Sequence, residues 1–111
     1  MLVLPIKRKW YEMILDGVKK EEYREISPYY ASRFRNLFMF HDDRQVPLIP
    51  TGIDEHDIIF RNGYSATSPS FIARCTLDVK TGNPEWGAEK DKKYYVLTVH
   101  SIRFGSRIDK E

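Results

Sequence analysis

Between Gly17 and Arg24 the chain reads Gly-Val-Lys-Lys-Glu-Glu-Tyr-Arg, which gathers two lysines, two carboxylates and an arginine into eight residues. The alternation over Lys19–Ile26 predicts a strand, and in a strand Glu22 and Arg24 point to one face, where they can pair. Lys19 is out of phase with them. It joins that face only if the chain twists or bulges just after Gly17. Three chemistries follow from such a cluster. It can be an exposed edge whose alternating charges discourage edge-to-edge association. It can hold a polar or anionic ligand between fixed charges. Or a desolvated Lys19, flanked by Lys20 and Arg24, can shed its proton near neutrality and act as nucleophile or base. Glu22 opposes the last of these, because a neighbouring carboxylate holds a lysine protonated.

Other residues offer weaker signals. Asn62-Gly63-Tyr64 puts an aromatic ring beside a tight turn, where it is either an ordinary hairpin tyrosine or a platform for a nucleobase. Arg61 beside it suits a phosphate contact. Trp86, between Glu85 and Gly87, is either a plug for the core or a second stacking surface. His41, His56 and His100 are scattered, and the single cysteine, Cys75, lies in an alternating apolar run that marks a buried structural thiol. No zinc-type spacing exists, and Asp42-Asp43 and Asp54-Glu55 read as solvated loop charges. There is no Walker loop, dinucleotide fingerprint or G-x-S-x-G elbow. No metal or cofactor is expected.

The elements that must position these residues are readable from periodicity. Met1–Ile6 predicts a short strand with Leu2, Leu4 and Ile6 on one face. Lys7 to Asp16 predicts a helix, with Trp10, Met13 and Ile14 at i, i+3, i+4 and Gly17 past its end. The Lys19–Ile26 strand is polar on both faces until Ile26, so it must sit at an edge or line a groove. Ser27-Pro28 opens a second helix to about Leu37, carrying Tyr30, Phe34 and Leu37. Phe38 to His56 has no period and is broken by Pro47, Pro50 and Gly52. Asp57 to Asn62 is a strand. The next sets Phe71, Ala73, Cys75, Leu77 and Val79 against Ile72, Arg74, Thr76, Asp78 and Lys80. A Gly/Pro-bearing loop, Thr81 to Lys92, precedes the last strand, Lys93 to Phe104, with Tyr95, Leu97 and Val99 inward. This order predicts one α+β domain over residues 1–111: a small β-barrel of five or six mostly antiparallel strands with two packed helices.

With 111 residues, 41% of them apolar, the chain can bury a core without disulfides. The short apolar start precedes Lys7, Arg8 and Lys9, the reverse of a signal peptide, and no stretch approaches a membrane span. A cytoplasmic protein is expected. Residues 1–35 hold eight Lys or Arg against five Asp or Glu, while the remainder holds ten against eleven. A basic first third suits a polyanionic partner, and also an ordinary solvated helix.

Gly17, Lys19, Glu22 and Arg24 resemble the G-x-K-x-x-E-x-R signature of the ASCH domain, a branch of the PUA-like superfamily. Leu4-Pro5-Ile6-Lys7, Tyr23-Arg24-Glu25-Ile26 and the tyrosine-rich start of the second helix look like a small bacterial and phage subgroup of that family. Phe60-Arg61-Asn62-Gly63-Tyr64 and Pro84-Glu85-Trp86-Gly87 look like it too. The resemblance spans most of the chain. It implies a PUA-like barrel with a cleft beside the signature strand and a role with RNA or nucleotides. It also implies ligand contacts from Lys7, Lys19, Glu22, Arg24, Arg61, Asn62, Tyr64 and Trp86. Family members include RNA-binding modules, an amidohydrolase that deacylates acetylated cytidine, and ribonucleases. In the amidohydrolase type the signature lysine, here Lys19, is central. Glu22 stands where that type has threonine, and Glu85 can stand for its distant glutamate. The expectation is an RNA- or nucleotide-binding module. The alternatives are a hydrolase of a modified nucleoside or RNA, using Lys19, Glu22 and Glu85, and a protein-interaction adaptor.

Overall fold

A computed structural model describes residues 1–39 and 48–104. The chain runs β1 (Val3–Ile6), α1 (Arg8–Leu15), β2 (Glu21–Arg24), α2 (Pro28–Phe38), β3 (His56–Asn62), β4 (Ser70–Thr81), a single 3-10 turn (Pro84–Trp86) and β5 (Lys93–Arg103). The expected order of strands and helices holds. The centre of the Phe38–His56 segment, with His41 and Asp42-Asp43, lies outside the described residues.

The five strands are ordered β1-β3-β4-β5-β2 and curl into a half-barrel. β1 pairs parallel with β3, and every other pairing is antiparallel. β3, β4 and β5 form a meander, so both edge strands come from the first 24 residues. The β4–β5 ladder shifts between Arg74 and Cys75: Arg74 faces Ser101 while Cys75 faces Val99. His100 is therefore the extra residue of a bulge, and its Nε2 lies 2.9 Å from Thr76 Oγ1.

Local chemistry explains both helices. Ser27 Oγ accepts the Tyr30 amide proton at 3.3 Å, with Pro28 in the first turn. α1 ends at Gly17, whose φ of 78° is open to glycine at little cost. Both helices bury one stripe on the sheet. The core joins Leu4 and Ile6 of β1, Tyr11 and Ile14 of α1 and Phe34 of α2 to Ile58, Phe60, Phe71, Ala73, Cys75, Leu77, Tyr95 and Leu97. Tyr11 packs 4.9 Å from Phe71, and Phe34 lies 5.3 Å from Tyr95. Each such side chain contributes roughly 1.5–3 kcal/mol by leaving water. Cys75 is a buried core thiol, its pKa pushed up to about 12 first by burial.

Three details depart from the periodicity. α1 buries Tyr11 and Ile14, and Trp10 turns away from this core. Val79 is exposed, because β4 runs past the edge of the packed layer. β5 is buried on both faces: Tyr94 and Val96 form a second cluster with Ala88, and Tyr23 packs against it. Residues 82–92 thus cover the side of the sheet opposite the helices. Among the described residues no helix is long and apolar enough to cross a membrane.

Candidate functional site

The site begins at the end of α1. With Gly17 in the left-handed region, the amides of Val18 and Lys19 both donate to Met13 O, at 2.9 and 3.0 Å. This turn supplies the twist that Lys19 needs to join the face of Glu22. The Lys19 side chain is only 1% exposed, and its Nζ lies 3.3 Å from Glu22 Oε1. The ammonium also donates to Trp86 O at 2.6 Å and lies 4.8 Å from the ring centres of both Trp10 and Tyr23. A strand that reads as solvated on both faces therefore hides a lysine among the most buried side chains of the domain.

Glu22 is shared between two cations. Its Oε2 accepts from Arg24 at 2.7 Å, while Oε1 faces Lys19. Arg24 reaches further: one guanidinium nitrogen also donates to Pro5 O at 2.9 Å, and the other to Tyr30 OH at 3.0 Å. One side chain of edge strand β2 thereby ties edge strand β1 and helix α2 together across the open seam of the half-barrel. Burial is the larger influence on Lys19 and pushes its pKa below the ordinary lysine value, against Glu22, which raises it. Glu22 acts on Lys19 in the direction expected, toward the charged form, but desolvation outweighs it.

Residues 82–92 close the structure around the lysine. Tyr23 OH accepts the Asn83 amide proton at 2.8 Å and donates to Glu21 at 2.7 Å. Gly82 lies so close to the Tyr23 ring that a Cβ there would stand 2.5 Å from it. Gly87 has φ 102° and lies against the Trp10 indole. Lys92 joins Glu25 (2.8 Å) to Glu89 (3.2 Å), linking this loop to the segment after β2.

Above the buried triad opens a cleft of about 530 Å³ at the seam. It is walled by Trp10, Tyr23, Tyr30, Tyr64 and Tyr94, with Pro5, Ile6, Asn62, Gly63 and Gly87 between them. Its charged lining is Lys7, Arg8 and Arg24 with Glu22, Glu25 and Glu89. The Gly63 amide donates to Ile6 O at 3.2 Å, pinning the β3–β4 connection to the end of β1. Tyr64 follows at the rim, 89% exposed. The size suits one small ligand, and five of the lining side chains are aromatic.

Of the residues singled out from sequence, the cleft brings together Lys7, Glu22, Arg24, Asn62 and Tyr64. Lys19 lies one layer beneath, its ammonium against Trp10, Tyr23 and the Trp86 carbonyl. Arg61 alternates with the buried Phe60 along β3 and does not line the cleft. Trp86 offers its carbonyl to Lys19, and its indole is half-buried outside the lining. Glu85 is exposed on the 3-10 turn and does not reach the cleft; the carboxylate that this loop places there is Glu89. Trp10, Tyr30, Tyr94, Glu25 and Glu89 were not foreseen as site residues. For Trp10 a signal existed, since it stands three residues after Lys7 and so shares a polar side of the helix. Among the described residues no group of three or more His, Cys, Asp or Glu is arranged to hold a metal ion. The likeness to the ASCH signature therefore rests on the residues themselves: no family model matches the chain, and neither does any curated protein or solved structure.

Proposed function

We propose that this is an ASCH-type module of the PUA-like kind that binds RNA or a nucleotide by taking an unstacked base into the seam cleft. One observation carries the reading: an aromatic-lined cleft with room for one small ligand stands directly on the buried Lys19–Glu22–Arg24 triad. Aromatic walls accept a base by stacking, and the carboxylates and Asn62 supply hydrogen-bond acceptors and donors for its edge. In this reading the signature residues act as a foundation. They fix the cleft floor and the loop above Lys19, and the contacts to the base come from the rings.

The experiment is a titration of the protein with short single-stranded RNA and with nucleotides, followed by tryptophan fluorescence on a Trp86→Phe background so that Trp10 reports. Saturable quenching that weakens when Arg24 is replaced supports the reading. No response to any of these ligands rejects it and leaves the adaptor alternative.

A second reading, hydrolysis of a modified nucleoside such as acetylated cytidine, is favoured by the burial that lowers the pKa of Lys19, against the 3.3 Å approach of Glu22, which raises it. Against it stands the aim of the amine, which points at the Trp86 carbonyl and lies against two rings. Turnover of acetylated cytidine by wild type that disappears in Lys19→Arg, with nucleotide affinity kept, would establish the hydrolase, since arginine cannot give up its proton.

A further inference from the structure

The floor of the cleft carries more positive than negative charge. Lys19 and Arg24 are two cations against the single carboxylate of Glu22, and the three side chains are 1%, 13% and 8% exposed in that order. Both oxygens of Glu22 are taken, Oε1 by Lys19 at 3.3 Å and Oε2 by Arg24 at 2.7 Å. Glu21 alternates with Glu22 along β2 and is occupied by Lys80 at 3.3 Å and by Tyr23 OH at 2.7 Å. The other carboxylates of the cleft, Glu25 and Glu89, are 60% and 73% exposed and share Lys92. Water and salt screen charges so exposed, and buried ones far less, so the floor sets the field inside the cleft.

Donors are in surplus at the same place. An arginine has five N–H groups. Arg24 spends three of them, on Glu22, Pro5 O and Tyr30 OH, and its Nε is buried with no partner among the described residues. The Tyr30 hydroxyl accepts from Arg24 at 3.0 Å and has no acceptor for its own hydrogen among the described residues. Both residues line the cleft. Buried donors are nearly always matched. Water can match these, but an oxyanion matches them and also brings the negative charge that the triad lacks.

We infer that the cleft floor seats the terminal phosphate of a nucleotide, held by Arg24 and the Tyr30 hydroxyl over the surplus charge of the triad, with the base further out among the rings. This rests on the base-binding function proposed above and adds a ligand class to it, a nucleoside monophosphate or a phosphorylated RNA end. An internal phosphodiester does not fit the same seat. The triad beneath is buried, so the floor is a dead end that a chain can enter but not pass through.

The test measures the affinity of wild type, Tyr30→Phe and Arg24→Lys for each ribonucleoside, for its 5′- and 3′-monophosphates, and for a trinucleotide with and without the favoured terminal phosphate. The quantity read is the ratio of Kd without the phosphate to Kd with it, at low and at high salt. In wild type the phosphate tightens binding by roughly tenfold or more, because hydrogen bonds to a charged group are the strong ones. Most of that gain survives added salt, because the seat is enclosed. Tyr30→Phe keeps the ring and cuts the gain severalfold. Arg24→Lys keeps a charge without the planar fork and removes most of it. Circular dichroism shows whether each variant is folded, and Tyr30→Phe alone decides if Arg24→Lys is not. An equal gain on the trinucleotide identifies an RNA end as the source of the phosphate, and a gain confined to mononucleotides identifies a free nucleotide. Nucleosides that bind wild type as tightly as monophosphates, or a gain that Tyr30→Phe leaves whole, overturn the seat and leave base binding standing. So does a gain that salt abolishes and that Lys7→Gln removes, which would place the phosphate at the rim. Absence of binding by every ligand removes base binding and the seat together.

Discussion

Replacing Arg24 by methionine keeps a stem of similar length and removes the guanidinium. Three interactions go with it: the pair with Glu22 at 2.7 Å, the donation to Pro5 O at 2.9 Å and the donation to Tyr30 OH at 3.0 Å. Glu22 remains only 8% exposed at its side chain, with Lys19 as its single counter-charge. Breaking a buried pair costs about 3–5 kcal/mol when the remaining charge is stranded. Lys19 keeps part of that compensation, which lowers the figure, whereas the Pro5 carbonyl left without a donor adds about 1–3 kcal/mol. A loss of about 3 kcal/mol is expected, a large share of the roughly 5–15 kcal/mol that holds a domain of this size. Urea denaturation followed by circular dichroism measures it, and the cycle Glu22→Gln, Arg24→Met and the double variant measures the coupling. Residues in one buried network couple by about 0.5–3 kcal/mol. Arg24→Glu, which adds a carboxylate beside Glu22, is expected to be worse than Arg24→Met. An Arg24→Met protein within about 0.5 kcal/mol of wild type, or losses that simply add in the double variant, would refute the claim that this residue clasps the seam.

Three further outcomes are expected. Gly82→Ala forces a methyl to within 2.5 Å of the Tyr23 ring and 2.7 Å of Ala88; it should cost about 1–3 kcal/mol and increase hydrogen exchange of residues 83–92, and an unchanged melting temperature would contradict that packing. Cys75, with its folded pKa raised to about 12 from 9.0, stays a thiol in the native state. A raised folded pKa contributes stability that is full below pH 9 and lost as pH climbs toward 12, so stability should fall over that window, and Cys75→Ala should make the slope shallower, the remainder coming from Tyr11 and Tyr23, which burial also raises. Wild-type thiol should react with a disulfide reagent at pH 8 only as fast as the chain opens. Tyr64→Ala should leave stability within about 0.5 kcal/mol because the ring is exposed, yet weaken base binding by about 1–3 kcal/mol if the ring stacks on the ligand; equal affinities in a titration would remove Tyr64 from the site.

The elements were legible because each carried its own local chemistry. Ser27-Pro28 announced α2, Gly17 closed α1, and the alternation from Phe71 to Leu77 marked β4. The Glu22–Arg24 pair followed from strand period alone. The burial of Lys19 did not. Nothing in the neighbouring residues tells a solvated lysine from one enclosed by Trp10, Tyr23 and the carbonyl of Trp86, since these come from three separate segments. Trp10 fitted a core spacing shared with Met13 and Ile14, yet α1 buries Tyr11 and Ile14 and leaves Trp10 to line the cleft. Glu85 and Glu89 lie in one loop with equal sequence credentials. The course of that loop, fixed by Gly87 on Trp10 and by Tyr94 OH against the Glu89 amide at 3.0 Å, decides that Glu89 enters the site.

The placement of both edge strands in the first 24 residues has a kinetic consequence. The β3–β4–β5 meander pairs neighbours in sequence, whereas β1 must find Ile59 from Val3, and β2 must find Leu97 from Glu22. Closing such distant pairs is entropically slow, so the meander is expected to form the nucleus, with the amino-terminal strands docking afterwards and Arg24 closing the seam last. Changes at Arg24 should therefore leave the refolding rate nearly untouched and appear almost wholly as faster unfolding. The residue that organises the floor of the cleft is then also the one that sets how long the native molecule lasts.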